Sequence, residues 1–329
     1  MRAATLKDVA AAAGVGVSTV SYVLNGTGLH KVGAETRARI LRAAERLNYR
    51  PNDTARGLKS GKSLLIGVLV SGVNYSFMPE ILQGIEEVLA EHKYNMLLCT
   101  FKDTAELAER CGILLRKQVD GVICHPGGMA GCNALVNDFF SRLPGVWVAS
   151  EAYGHFPTIQ VPATEVGRIG MRYLLELGHR KIAFFHHPSR PRYEGALAAV
   201  TEAGLDPKQV LYCIEAHHTD APAVLAELRG LEEWPSAIFY FGDEEAIQFM
   251  LTARSMGIRV PDHISVLGVN GQEIGALVTP RLTSVWQSRG EQGSEAARRL
   301  LAWIGTGRKP ESLLLPPKIV ERESVRRMD

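Results

Sequence analysis

The hydrophobic positions of this chain follow one period near its start and another beyond residue 62. Leu6, Val9, Ala10 and Ala13 recur at helical spacing and stop at Gly14, a residue suited to the left-handed turn that ends a helix. Val20 and Val23/Leu24 repeat the spacing from about Val17 to Asn25, and Ile40, Leu41, Ala44 and Leu47 repeat it from about Ala34 to Leu47. The pattern predicts three short helices around a small core, with Thr5 and Asp8 forming a capping-box-like start and Gly14-Val15-Gly16 the turn between the first two. That is a helix-turn-helix.

After Lys62 the rhythm becomes strand, helix, strand. Leu64–Val70 is an unbroken apolar run; an amphipathic segment Pro79–His92, a strand Met96–Thr100, a helix Thr104–Lys117 and a strand Gly121–His125 follow. The alternation restarts after Val161 with helix Pro162–Leu177, strand Lys181–His186, helix Arg192–Ala203, strand Val210–Ile214, a helix near Asp220–Arg229, strand Ala237–Phe241, helix Glu244–Met256 and strand Ile264–Val269. Continuous apolar strands alternating with helices specify parallel sheets covered on both faces, here in two successive α/β lobes.

Charge separates the two regions. Residues 1–60 hold ten Lys/Arg against four Asp/Glu, while the rest of the 329-residue chain has a net charge of −4. Basic charge is thus concentrated where a polyanion would sit. With 46% apolar residues the chain supports large cores. It opens on Met1-Arg2 and passes into a capped helix without an apolar leader, and it lacks a run of ~20 apolar residues, so a cytoplasmic, non-membrane protein is expected. Cys99, Cys111, Cys124, Cys132 and Cys213 are odd in number and irregularly spaced, which favours buried thiols over bridges or a zinc site.

Leu6-Lys7-Asp8-Val9-Ala10, Val20-Ser21-Tyr22-Val23-Leu24-Asn25 and Tyr49-Arg50-Pro51-Asn52 through Ala55-Arg56-Gly57-Leu58 resemble, in order and spacing, the LacI/GalR family of transcriptional regulators. The resemblance extends over essentially the full length. It implies an N-terminal all-α helix-turn-helix headpiece over residues 1–51, a hinge over 52–62, and a periplasmic-binding-protein-like core of two doubly wound lobes over 63–329. Lobe one would take about 63–160 and 286–310, and lobe two about 161–283 and 313–329. The implied partners are a palindromic DNA operator, a small polar metabolite such as a sugar or nucleoside derivative, and a second copy of the chain; no cofactor or metal is implied. A dimer is expected rather than a tetramer, because no leucine heptad tail precedes Asp329.

In a helix-turn-helix the start of the second helix enters the major groove. Val17, Ser18 and Tyr22 are therefore expected at base edges, with Thr5, Thr19, Ser21 and Asn25 at the backbone. Asn52 to Ser60 is only nine residues, short of the ~12–15 an isolated helix needs, and Gly57 weakens it further. The family implies that two such hinge helices pair in the minor groove with Leu58 as a wedge, Ala55 and Lys59 at the groove floor and flanking phosphates, and Asn52 as cap. A flexible linker is the alternative.

Ligands of open α/β sheets bind beyond the carboxyl ends of the strands. That rule selects Ser71 to Met78, His125, Ser150, His186 to Arg192, His217, Phe241 to Asp243 and Asn270. Among them the resemblance implies Arg192 as an effector-binding arginine, Phe77 as a stacking aromatic beside Met78, and Asp243 as a polar group for hydroxyls. Gly268-Val269-Asn270 departs from the usual Gly-Tyr-Asp, replacing an ionised acceptor with an amide. Val161-Pro162 replaces an Asp-Asn pair, and a short loop His186–Pro191 leaves Arg190 without a counterpart. His125, His186, His187, His217 and His218 cluster near predicted strand ends, as hydrogen-bonded surface groups, effector contacts or metal ligands.

Two rival functions are tested by motif. A nicotinamide enzyme needs GxGxxG after the first strand, which Gly67-Val68-Leu69-Val70-Ser71-Gly72 lacks, and no nucleophile elbow is present. A transporter-type solute-binding protein would share the lobes but have no use for residues 1–60.

Overall fold

The computed structural model describes residues 4–26, 29–50, 62–127, 138–151, 156–186, 190–215 and 220–328. The chain forms two compact units, Met1–Ser63 and Leu64–Asp329.

In the first unit, α1 (Leu6–Ala13), α2 (Val17–Leu24) and α3 (Ala34–Arg46) enclose Val9, Ala10, Ala13, Val20, Val23, Val32, Ile40, Ala43 and Ala44. Thr5 caps α1: its amide and hydroxyl both donate to the Asp8 carboxylate at 2.7 Å, and its oxygen accepts the Asp8 amide at 3.3 Å. Gly14 ends α1 at φ 62°, so the peptide amides of Gly14 and Val15 close back on Ala11 and Ala10. One predicted core position is corrected. Leu41 is 49% exposed, because Ile40, Ala43 and Ala44 already supply the buried stripe of α3 and Leu41 lies one position off it.

The second unit contains two six-stranded sheets. Strands β1 (Leu65–Val70), β2 (Asn95–Thr100), β3 (Gly121–His125), β4 (Gly145–Ala149) and β5 (Thr158–Gln160) build the first, with α4 (Met78–Glu91) and α5 (Thr104–Arg116) between them. The second lobe runs α6 (Ala163–Glu176), β6 (Ile182–His186), α7 (Arg190–Glu202), α8 (Pro207–Val210), β7 (Leu211–Glu215), α9 (Ala221–Arg229), β8 (Ala237–Phe239), α10 (Asp243–Ser255), β9 (Ser265–Asn270) and β10 (Thr283–Trp286). The chain then returns as α11 (Arg289–Thr306), β11 (Leu313–Leu314) and β12 (Lys318–Val320).

Strand order is β11-β5-β4-β3-β1-β2 in one sheet and β12-β10-β9-β8-β6-β7 in the other, all parallel except the β10–β12 pair. Sequence order reverses between β1 and β3 and between β6 and β8. These are the points where helices diverge to opposite faces and open a crevice.

The lobe boundaries near the carboxyl end need correction. Leu313–Leu314 pairs with β5 in the first lobe, not the second, held by Leu315 N–H donating to Gln160 and Thr158 N–H donating to Ser312. Trp286 remains in the second lobe, paired with Asn270. The final crossing therefore falls between Leu314 and Lys318. A two-residue strand carries too little periodicity to reveal its sheet. β4 and β5, which the pattern did not resolve as separate strands, complete the first sheet with Val146, Trp147, Val148 and Ile159 buried.

Candidate functional site

Helix α2 presents a polar and aromatic face beside its buried Val20 and Val23. Val17 and Tyr22 are 42% and 40% exposed, Ser18 and Asn25 are exposed, and Thr19 and Ser21 are half-buried. Asn25 Nδ2 donates to Ser21 Oγ at 3.0 Å, which orders the last turn of this face. Lys31 lies 5.9 Å from the Tyr22 ring centroid, so a cation accompanies the aromatic. Thr5 is half-buried with its hydroxyl committed to the α1 cap. Asn52, Ala55, Leu58 and Lys59 of the hinge lie outside the described residues, as does His217.

The second unit contains a cavity of about 510 Å³ at the carboxyl ends of both sheets. Its first wall follows β1, β3 and β4: Asn74 to Phe77, His125 to Gly127, and Val148 to Ser150. Its second wall carries Arg192 on α7, Phe241, Gly242, Glu244 and Glu245 after β8, and Asn270 at the end of β9; Gln287 and Arg289 enter where the chain recrosses. Phe77, His125, Ser150, Arg192 and Asn270 therefore come together.

Aromatic and cationic groups dominate its interior. Tyr75 stacks on Phe77 with centroids 5.4 Å apart, and the Arg289 guanidinium lies 4.2 Å over the Phe77 ring. His125 packs obliquely at 5.8 Å from Phe77. Burial, aided by the positive Arg289, pushes the His125 imidazole down to about 4, so it is neutral at ordinary pH. Arg192 Nη1 donates to the Phe241 carbonyl at 2.8 Å. Burial pulls Arg192 down to about 10, and burial together with the neighbouring Arg192 charge pulls Arg289 down to about 9; both stay cationic at neutral pH.

The backbone is strained at Asn270 and beside Gln287 and Arg289. Asn270 has φ 112° and Ser288 φ 50°, conformations that side chains with a Cβ seldom adopt. Gln287 Nε2 donates to Asn270 Oδ1 at 2.8 Å, and Gln292 Nε2 donates to the Gln287 carbonyl at 2.6 Å, so the strained turn is locked by side chains. Ser76 Oγ donates to Gln272 Oε1 at 3.1 Å, a hydrogen bond from the first lobe to the second.

Two expected contacts do not line the cavity. Met78 starts α4 fully buried in the apolar core of the first lobe, in one cluster with Ile81 and Ile85. Asp243 is also fully buried: it begins α10, accepting from Ser284 Oγ and from the Gln272 amide, and thus braces the β9 loop. Two positions later, Glu245 lines the cavity where Asp243 was expected. Sequence reasoning missed Arg289 because Thr283–Gln287 reads as a crossing; taken as strand β10, the same rule of carboxyl ends finds it. Among the described residues no cluster of His, Cys, Asp and Glu is arranged to hold a metal.

Residues 5–52 match the model of bacterial regulatory proteins of the lacI family, and residues 171–325 match a periplasmic binding protein-like domain. Catabolite control protein A of Priestia megaterium is 32% identical, with 98% of this chain and 99% of that protein covered. The chain belongs to the LacI family. Another LacI-family relative, the HTH-type transcriptional repressor PurR of Pasteurella multocida, is 30% identical over 98% of this chain and 99% of that protein. In fold, the chain is similar to a Lac repressor dimer solved with operator and an anti-inducer, at a TM-score of 0.84 and 24% identity, covering 99% of this chain and 100% of that one. This LacI-family protein is a DNA-binding transcriptional regulator with an effector-binding core, and the enzyme and transporter readings are set aside by its family membership.

Proposed function

We propose that the chain is a cytoplasmic repressor that binds a palindromic operator as a homodimer, and that occupancy of the interlobe cavity sets its operator affinity. The observation that carries this is the cavity itself: it gathers strand ends from both sheets, and one of its lining residues, Ser76, bonds across to Gln272 of the other lobe, so a ligand there contacts both lobes at once. A ligand shifts an equilibrium only through differential affinity for its two states, and a site shared between lobes supplies that difference. A preference of ~100-fold corresponds to about 2.7 kcal/mol per site.

On the DNA side, Val17, Ser18 and Tyr22 are the residues proposed to read bases, with Thr19, Ser21 and Asn25 on phosphates and Thr5 ordering the first helix. The supporting fact is that Val17, Ser18 and Tyr22 are exposed on α2, with Asn25 exposed at its C-cap. The hinge residues Asn52, Ala55, Leu58 and Lys59 are proposed for the minor groove on family resemblance alone. In the core, Phe77, His125, Ser150, Arg192 and Asn270 are the proposed effector contacts.

Titrating full-length protein onto a library of twofold-symmetric duplexes, followed by small polar metabolites, tests the scheme. Salt-sensitive selection of one palindrome, with affinity altered by a metabolite in wild type but not in Phe77→Ala, is expected. Selective operator binding that no metabolite changes would remove the effector half of the scheme.

A further inference from the structure

Two guanidinium groups share the cavity, and neither has an ion-pair partner within 4.0 Å among the described residues. Arg192 belongs to the second lobe through α7 and its bond to Phe241; Arg289 belongs to the first, on α11, with its guanidinium face against Phe77. The Nε of each is sealed from solvent and meets no acceptor, and His125 Nδ1 is equally unpartnered beside them. Arg289 has one long contact, Nη2 to Asn270 Oδ1 at 3.4 Å. One neutral carbonyl for Arg192, and one long amide contact and a ring face for Arg289, leave donors of both buried guanidiniums unmet and neither charge balanced by an anion, and two such charges repel.

The carboxylates nearby do not neutralise the pair. Glu80 acts on Arg289 only as a weak, longer-range charge, and its own carboxyl is raised by burial more than it is lowered by Arg289. Glu244 and Glu245 line the cavity without bridging to either arginine. The lining thus divides into a cationic zone, an aromatic wall of Tyr75, Phe77 and Phe241, and a carboxylate zone able to accept hydroxyls.

We infer that Arg192 and Arg289 form a two-sided receptor for an oxyanion, so that the effector is a small hydroxyl-bearing metabolite carrying a carboxylate or a phosphate group. This rests on the reading of the cavity as the effector site and deepens it. An oxyanion satisfies the orphaned donors and cancels the repulsion. Because the two arginines come from opposite lobes, the anion draws the lobes together, and its charge becomes the signal that closes the cleft. The neutral Asn270 beside Arg289 brings no charge to compete with the anion.

The test uses full-length protein and three probes at constant ionic strength: inorganic phosphate, acetate and chloride, read by thermal shift. Stabilisation by phosphate or acetate over chloride, abolished in Arg289→Met, partly retained in Arg289→Lys and unchanged in the surface control Arg259→Met, is expected. Phosphate alone acting assigns a phosphoryl group; acetate alone assigns a carboxylate. Hexoses are then compared with hexonic acids and hexose phosphates of the same skeleton. An anionic member should bind at least 30-fold more tightly than its neutral parent, with that margin lost in Arg289→Met. Equal binding of the neutral parent, or an anion effect identical in wild type and Arg289→Met, overturns the receptor while leaving the effector cavity standing. Failure of every compound to bind, with Phe77→Ala indistinguishable from wild type, removes the cavity reading and the receptor together.

Discussion

Ser284 on β10 donates a 2.5 Å hydrogen bond to Asp243 at the start of α10, and the same carboxylate accepts the Gln272 amide at 2.7 Å. A side chain expected to face ligand is instead the brace beneath the Ser76–Gln272 bond between lobes. Burial raises its carboxyl from 3.8 to about 6 despite these donors. The sign follows: between those values the native state holds a proton that the unfolded chain has lost, so stability falls as pH rises through this window. The full effect is on the order of 3 kcal/mol. In Asp243→Asn, the side-chain oxygen takes the place of Oδ2 and keeps the Gln272 amide, while Nδ2 in the place of Oδ1 donates to the Ser284 hydroxyl. Urea midpoints at pH 4, 5, 6 and 7 should show the variant gaining on wild type by up to ~3 kcal/mol as pH rises; a pH-independent difference refutes the assignment.

His125 supplies the opposite slope. Its imidazole is pushed from 6.5 down to about 4, first by burial and then by Arg289. The native state is neutral where the unfolded chain is protonated, so stability is fully present above the ordinary value and is lost as pH falls toward 4. In His125→Gln the acid-side loss should shrink by about 3 kcal/mol between pH 7 and 4. An unaltered acid limb would mean that this imidazole titrates normally.

How far the site was legible depends on how much pattern each element carries. The α1 stripe Leu6, Val9, Ala10 and Ala13 ends at a glycine, and its capping box is local, so both were readable to the residue. Strands of five or six residues, β1, β3 and β9, gave their carboxyl ends, and with them Phe77, His125 and Asn270. Short strands did not: β10, four residues long, hid Arg289, and the two residues of β11 hid which sheet they join. Asp243 failed for a different reason. Whether a carboxylate at a strand-to-helix junction faces the crevice or the core depends on Ser284 and Gln272, 41 and 29 residues away in sequence.

Tyr22 should matter to recognition and not to folding. It is 40% exposed on α2, with Val20 and Val23 holding the helix in place behind it. Tyr22→Ala is expected to lower operator affinity by about 5- to 150-fold, the range for losing a base contact worth ~1–3 kcal/mol. Thermal melting of the head should stay within about 0.5 kcal/mol of wild type. Equal affinity in a fluorescence-anisotropy titration at fixed salt would exclude Tyr22 from base reading.

Gly195 on α7 and Gly167 on α6 allow those helices to touch backbone to backbone. A Cβ on Gly195 would collide with the Thr164 carbonyl, and one on Gly167 with the Arg192 carbonyl, the residue that feeds the cavity. Backbone cannot step aside as a side chain can, so Gly195→Ala must separate the helices, at about 1–3 kcal/mol, and carry Arg192 away from Phe241. Gly305, near the end of α11, has open space around its would-be Cβ, and Gly305→Ala should instead stabilise by about 0.5–1 kcal/mol. Denaturant unfolding checks the pair of signs. The two variants also differ in effector response, which Gly195→Ala should weaken and Gly305→Ala should preserve; a Gly195→Ala protein with wild-type stability and response would show that the helix contact does not position Arg192.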